Sequence, residues 1–144
     1  MGYPKLVPEL YCSDLSASLA FYVDLIGFKI MYDRPEDGFA YLDYDGAHLM
    51  LEETPEGSTS DRSWWTAKPE KPYGRGINLQ IEVSDVDVLY IAVNQVAHPL
   101  FRPMEDRWYR MDAAETGVRQ FLVQDPDGYL LRFFSDLGER PFAT

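Results

Sequence analysis

The sequence predicts an α+β fold: two tandem β-α-β-β-β modules whose curved mixed sheets form a cup. Two internal matches and one physical constraint lead to it. Helical patterns open at Ser13-Asp14-Leu15 and again at Ser84-Asp85-Val86. The run Asp43-Tyr44-Asp45-Gly46-Ala47-His48-Leu49-Met50-Leu51 is echoed by Asp125-Pro126-Asp127-Gly128-Tyr129-Leu130-Leu131-Arg132-Phe133, with Phe39 and Phe121 in the same register. Self-similarity of this kind marks a repeated structural unit. One helix per module shields one face of its sheet, so the other face must curl into a cup or meet a partner.

Residues 5–12 read as the first strand. Leu15, Leu19, Tyr22, Val23 and Ile26 then recur at helical spacing, and Gly27 supplies a C-terminal stop. Strands follow near 28–33, 38–43 and 47–53, the last two joined by a tight Asp45-Gly46 hairpin. The stretch 54–75 is longer than connections without a function usually are, and it carries Trp64, Trp65 and Tyr73 among charges, which favours a lid. In the second module, 76–83 alternates strictly, and Val86, Leu89, Tyr90, Val93 and Val96 form the apolar stripe of a helix ended by Pro99. Strands near 102–111, 118–124 and 129–134 complete it, joined by Glu115-Thr116-Gly117 and Asp127-Gly128. The organisation is one domain, 1–144, with modules over 5–53 and 76–134 joined by the long loop.

Alternation assigns faces. In Ile77-Asn78-Leu79-Gln80-Ile81-Glu82-Val83 the apolar positions pack on the helix, while Asn78, Gln80 and Glu82 turn to the cup. The repeat puts Val7, Glu9 and Tyr11 there in the first module; His48, Met50 and Glu52 share a face, as do Leu130, Arg132 and Phe134. A solvated outer face alternates in the same way, so periodicity alone leaves both readings open.

Composition narrows the function. With 46% hydrophobic and 26% charged residues in 144, the chain has the makings of one globular core. Asp plus Glu number 24 against 13 Lys plus Arg, a net charge of -11, so phosphate backbones and anionic membranes are repelled and a charged partner should be cationic. Aromatics reach 15%, enough for some to line a ligand cleft as well as the core. The single Cys12 permits no intramolecular disulfide and reads as a small core residue. Residues 1–6 lack the apolar run of a signal peptide, and no stretch has the length of a membrane span, so the cytoplasm is the expected compartment. His98, at a helix end, is explained by the helix dipole. His48 is open either to a ligand contact or to an ordinary hydrogen bond.

The tandem modules, with Asp125-Pro126-Asp127-Gly128 before the last strand and Gly117-Val118-Arg119-Gln120-Phe121 leading into it, resemble the vicinal oxygen chelate superfamily of glyoxalases, extradiol dioxygenases, fosfomycin-resistance transferases and bleomycin-resistance proteins. The resemblance covers nearly the whole chain and implies the glyoxalase/bleomycin-resistance fold. Its enzymes hold a divalent metal with a His, Gln or Glu from the first strand of each module and a carboxylate from the last. Here those positions carry Val7 or, two residues on, Glu9; Glu52 or, by the internal repeat, Met50; Asn78; and Arg132. A guanidinium in a ligand position repels a cation, so neither metal nor other cofactor is expected. Arg132 is expected to pair instead with Glu52 or Glu82.

Among family members the chain is most similar to bleomycin-resistance proteins, which implies a homodimer that sequesters the drug in clefts between subunits without modifying it. Val7-Pro8-Glu9-Leu10 resembles their first strand, in which a proline hooks an N-terminal arm onto the neighbouring subunit. Tyr32 and Phe39 match positions lining the slot for the drug's flat bithiazole. Thr116 stands where some members have Trp, and Trp108 on the preceding strand is expected to supply that surface. The expected ligand-contacting residues are thus Tyr32, Phe39, His48, Met50, Glu52, Trp65, Asn78, Gln80, Trp108 and Arg132, facing a cationic ligand with a planar aromatic unit. Two alternatives stand beside this: a metal-dependent lyase, transferase or dioxygenase using Glu9, His48 and Glu52, or a binding module for another planar small molecule or a protein partner.

Overall fold

The computed structural model describes residues 2–54 and 64–142. It has two compact units, Met1–Tyr73 and Gly74–Thr144. The central part of the expected lid, 55–63, lies outside the described residues.

The first unit runs β1 (Glu9–Cys12), α1 (Leu15–Leu19) continuing as a π-helical stretch (Ala20–Ile26), β2 (Lys29–Arg34), β3 (Phe39–Tyr44) and β4 (Ala47–Glu53). The sheet order is β1-β4-β3-β2, with β1 parallel to β4 and the other pairs antiparallel. The second unit repeats it with β5 (Asn78–Glu82), α2 (Val86–Gln95), β6 (Leu100–Met111), β7 (Ala114–Gln124) and β8 (Leu130–Pro141), ordered β5-β8-β7-β6. The predicted α+β fold is therefore found, with different boundaries: β1 begins at Glu9 rather than 5, and β8 runs on to Pro141 rather than 134. The Glu115-Thr116-Gly117 turn is also corrected. Those residues lie within β7, and the reversal falls at Asp112-Ala113, where Asp112 takes φ 58°.

The helix starts show why the repeat is structural. Asp14 accepts a hydrogen bond from Ala17 N, and Asp85 accepts one from Val88 N, so each aspartate is the N-cap. The last strand of each module supplies a second partner. Glu53 Oε2 accepts from Leu15 N at 2.8 Å, and Ser135 Oγ accepts from Val86 N at 3.0 Å.

The helix stripes shift from the expected ones. In the first unit Ser18, Phe21, Tyr22 and Ile26 are buried, while Leu15, Leu19 and Val23 are only half-buried. A π turn takes more residues per revolution than an α turn, which lets adjacent Phe21 and Tyr22 both face inward. Gly27, at φ 108°, ends the turn, and its N–H and that of Phe28 both reach Tyr22 O. In the second unit Val86, Leu89 and Val93 are buried, but α2 stops at Gln95, before Pro99, and leaves Val96 61% exposed. His98 does not owe its place to the dipole alone, since its Nε2 lies 2.9 Å from Gln124 O.

Behind the first sheet, Leu10, Cys12, Phe28, Leu42, Leu49 and Leu51 pack on this helix; behind the second, Ile81, Val83, Phe121, Val123, Leu131 and Phe133 pack on α2. Both hairpin forecasts involving Asp-Gly hold. Asp45 and Gly46 take φ 47° and 95°, the left-handed pair a two-residue hairpin requires. Asp125 Oδ1 accepts from the backbone N–H groups of Asp127, Gly128 and Tyr129. Among the described residues no helix is long and apolar enough to cross a membrane.

Candidate functional site

In the first unit the face away from the helix carries Glu9 and Tyr11 from β1, His48, Met50 and Glu52 from β4, and Phe39, Tyr41 and Asp43 from β3. A register shift between Ile30 and Tyr32 sets Tyr32 directly opposite Tyr41. The two rings stack with centroids 5.1 Å apart and planes at 14°. Tyr32 is 43% exposed, so it offers a ring face to a planar ligand. Phe39 is buried beneath the Arg34 guanidinium, 4.0 Å from its centroid, and lies 6.1 Å from Tyr32. Phe39 thus supports the wall from below.

His48 is held on both sides. Its Nε2 lies 3.1 Å from the Asp43 carboxylate, which can only accept, so Nδ1 takes the proton of Tyr41 Oη at 2.8 Å. With both nitrogens engaged, His48 orients Tyr41 and is not poised as a metal ligand. Trp65 packs edge-on to Tyr11 at 5.5 Å, while Tyr11 Oη accepts from Trp64 N at 2.7 Å; the Trp65 Nε1–H is buried without an acceptor among the described residues. Glu9 and Glu52, two of the three carboxylates on this face, act on each other. Burial, and then the neighbouring Glu52, raise the pKa of Glu9 above its ordinary value, against the Tyr11 hydrogen bond and the Arg34 charge, which lower it.

In the second unit a cavity of about 470 Å³ opens on the corresponding face. Gln80 and Glu82 of β5, Arg132, Phe134 and Asp136 of β8, and Tyr109, Thr116 and Val118 of β6 and β7 line it. Arg132 Nη2 donates to Gln80 Oε1 at 2.8 Å, which corrects the expected pairing with Glu52 or Glu82: the parallel register places Gln80, not a carboxylate, directly across from Arg132. Asn78 pairs instead with Leu130 and is exposed, outside the lining of the cavity. Trp108 is also corrected as a wall of this face. Its neighbour Tyr109 lines the cavity, and strand alternation turns Trp108 to the other side, where Arg140 lies 3.9 Å from its ring centroid. Thr116, small where some relatives carry Trp, lines the cavity itself.

Sequence reading therefore missed Tyr109, Thr116, Val118 and Asp136. Tyr109 shares a face with Thr116 because the two are directly paired across β6 and β7, a register that no local pattern in the sequence sets.

The positions at which the resemblance expects metal ligands carry Val7 or Glu9, Glu52 or Met50, Asn78 and Arg132. Glu9 faces Met50 across β1 and β4, and Gln80 faces Arg132 across β5 and β8. At most two carboxylates, an amide and a guanidinium are a poor donor set for a divalent cation, and no three His, Cys, Asp or Glu residues converge among the described residues. The residues do not fit a metal.

Two repeated β-α-β-β-β units with these faces define a small-molecule-binding class of fold, and the chain belongs to the Glyoxalase/Bleomycin resistance protein/Dioxygenase superfamily, whose profile matches residues 6–133. It is 29% identical over 141 residues to the bleomycin resistance protein of Geobacillus stearothermophilus, covering 91% of this chain and 96% of that protein. The same figures hold for the bleomycin resistance protein of Staphylococcus aureus (strain N315). Among solved structures, a protein of unknown function from Agrobacterium tumefaciens str. C58 is 25% identical with a TM-score of 0.65, covering 95% of this chain and 97% of that one. TioX from Micromonospora sp. ML1 shares the fold at 24% identity and a TM-score of 0.66, covering 92% and 98%.

Proposed function

We propose that this protein binds and sequesters a bleomycin-type cationic glycopeptide antibiotic without modifying it, as a cytoplasmic homodimer. The observation that carries this reading is the half-exposed Tyr32 ring, stacked on Tyr41 on the sheet face that also carries the Glu9 and Glu52 carboxylates. A flat aromatic unit stacks on Tyr32, and a cationic group relieves the repulsion between the two glutamates. His48, Met50 and Trp65 frame the same face. The identity to bleomycin resistance proteins over nearly the full chain supports the choice of ligand. Nothing in this function requires a reacting group.

Calorimetric titration with bleomycin, followed in parallel by tryptophan fluorescence, tests it. Saturable binding at micromolar drug or below is expected, and Tyr32→Ala should weaken it about tenfold, the stacking energy together with the lost contact area. No heat and no fluorescence change up to millimolar drug would leave the fold with a different ligand.

The glutamates add a pH dependence. An acid whose pKa is raised in the folded state opposes folding once it ionises. Stability therefore falls as pH rises from the ordinary Glu range through the raised Glu9 value, and stays lower above it. Glu9→Gln should accordingly raise the melting temperature at pH 7, with the gain vanishing below pH about 4. The same substitution should weaken drug binding at pH 7, because it removes a charge facing the cation. A Glu9→Gln variant that melts lower than wild type at pH 7 would show that the carboxylate is stabilised by its surroundings instead.

The homodimer rests on the family resemblance and on the apolar residues of the edge strand β2, where Ile30, Met31 and Tyr32 are each more than 40% exposed. Light scattering at micromolar protein should give twice the 16.6 kDa chain mass. A value at the chain mass would remove the dimer from this reading.

A further inference from the structure

We infer that the cavity of the second unit is a recognition site for a neutral carboxamide, held by Arg132 and Tyr109; this deepens the ligand-binding reading above and rests on it. The Arg132 guanidinium lines the cavity with only part of its donor capacity used. Nη2 is bonded to Gln80 Oε1, whereas Nε is buried and has no acceptor among the described residues. The remaining Nη protons also have no acceptor among the described residues, so the guanidinium keeps charged donors for an incoming oxygen.

A second donor is set up by Gln120, which is 3% exposed. Its Nε2 reaches the Glu105 carboxylate at 3.3 Å and Tyr109 Oη at 2.9 Å. Glu105 can only accept, so the amide nitrogen must point toward it, and Tyr109 Oη then accepts from the same nitrogen. The phenolic proton is thereby free to be donated to a ligand in the cavity that Tyr109 lines. Two donors from different strands, with the Phe134 and Val118 side chains as apolar walls, suit a planar C=O group attached to an apolar or aromatic body.

Charge selects the neutral form of that group. Glu82 and Asp136 also line the cavity, giving it two carboxylates against one guanidinium. A ligand carboxylate would meet this net negative field, whereas a carboxamide presents its oxygen to Arg132 and its N–H bonds to the carboxylates. The guanidinium thus stands at a family metal position but serves as a hydrogen-bond donor to a carbonyl.

Benzamide and benzoate separate these possibilities as probes on the intact chain. The Arg132 Nε–Hε resonance is assigned by its loss in Arg132→Lys and followed by two-dimensional NMR during each titration. Benzamide should shift it saturably at millimolar concentration, with benzoate about fivefold weaker or more, and Tyr109→Phe, checked to be folded by its thermal melt, should weaken benzamide by a similar factor. A resonance unmoved by benzamide, or tighter binding of benzoate, overturns the inference. Bleomycin titrations run on the same samples keep the two readings apart. Wild type that binds the drug but not benzamide sinks the carboxamide site alone, whereas wild type that binds benzamide but not the drug sinks the antibiotic reading and leaves the site standing.

Discussion

Asp125→Ala is expected to lower the unfolding free energy by about 3 kcal/mol and the melting temperature by about 10 °C. The carboxylate is 6% exposed, and its Oδ1 accepts from Asp127 N at 2.9 Å and from Gly128 N and Tyr129 N at 3.0 Å each. Removing it takes the side-chain acceptor from three N–H donors of a tight turn, of which Gly128 N keeps a second bond to Asp125 O, in a place largely closed to water. Hydrogen bonds to a charged group are each worth about 1.5–3 kcal/mol, but three sharing one oxygen do not add in full. The turn also delivers β8, and with it Arg132 and Phe134, to the cavity, so benzamide binding there should fall along with stability. Asp125→Asn keeps the oxygen and should lose distinctly less. Thermal melts of the two variants check this ordering; an alanine variant that melts within about 2 °C of wild type would mean that the turn is held by its other contacts.

The second large effect lies at Gly117. A Cβ there would stand 2.7 Å from two ring atoms of Trp108 and 2.8 Å from a third, far inside van der Waals contact. Trp108 has little room to yield, because Arg140 covers its ring and is itself fixed to Glu115 Oε2 at 2.7 Å. Overpacking of this kind costs about 1–3 kcal/mol. Gly117→Ala should therefore destabilise by that amount, and combining it with Trp108→Ala should recover most of the loss, since the small side chain removes the clash. If the two single costs simply add, the predicted contact is not what makes Gly117 necessary. The same experiment carries a functional corollary. With its ring occupied by Gly117 and Arg140, Trp108 should contribute less to drug binding than Tyr32.

Much of the architecture was legible because it is written in local chemistry. Asp14 and Asp85 cap helices wherever they are placed, and Gly27 stops one because it alone tolerates the left-handed conformation found there. Asp45-Gly46 and Asp127-Gly128 make turns for similar reasons. The repeated order of strands and helices follows from these signals and from the alternation between them. The aromatic and acidic character of the first sheet was likewise readable from Glu9, Tyr32, Phe39 and Glu52. What local chemistry misjudged were the ends of long strands, where pairing with a neighbour outweighs turn propensity: Glu115-Thr116-Gly117 has the composition of a turn, yet it is paired with Tyr109, Trp108 and Arg110 on one side and with β8 on the other.

The sequence by itself determined the repeat, the fold class, the hairpins and the acidic, aromatic character of the chain. The tertiary structure alone decided which side chains share a face with which others. Side chains along a strand alternate with a period of two, so one extra residue in a strand exchanges its faces. The shift after Ile30 turns Tyr32 onto Tyr41, and the pairing of Tyr109 with Thr116 sets Tyr109, not Trp108, on the cavity side. The partner of Arg132 was decided in the same way. It is set by the parallel register of β5 and β8, whose residues lie far apart in the chain, so no neighbouring residue reveals it.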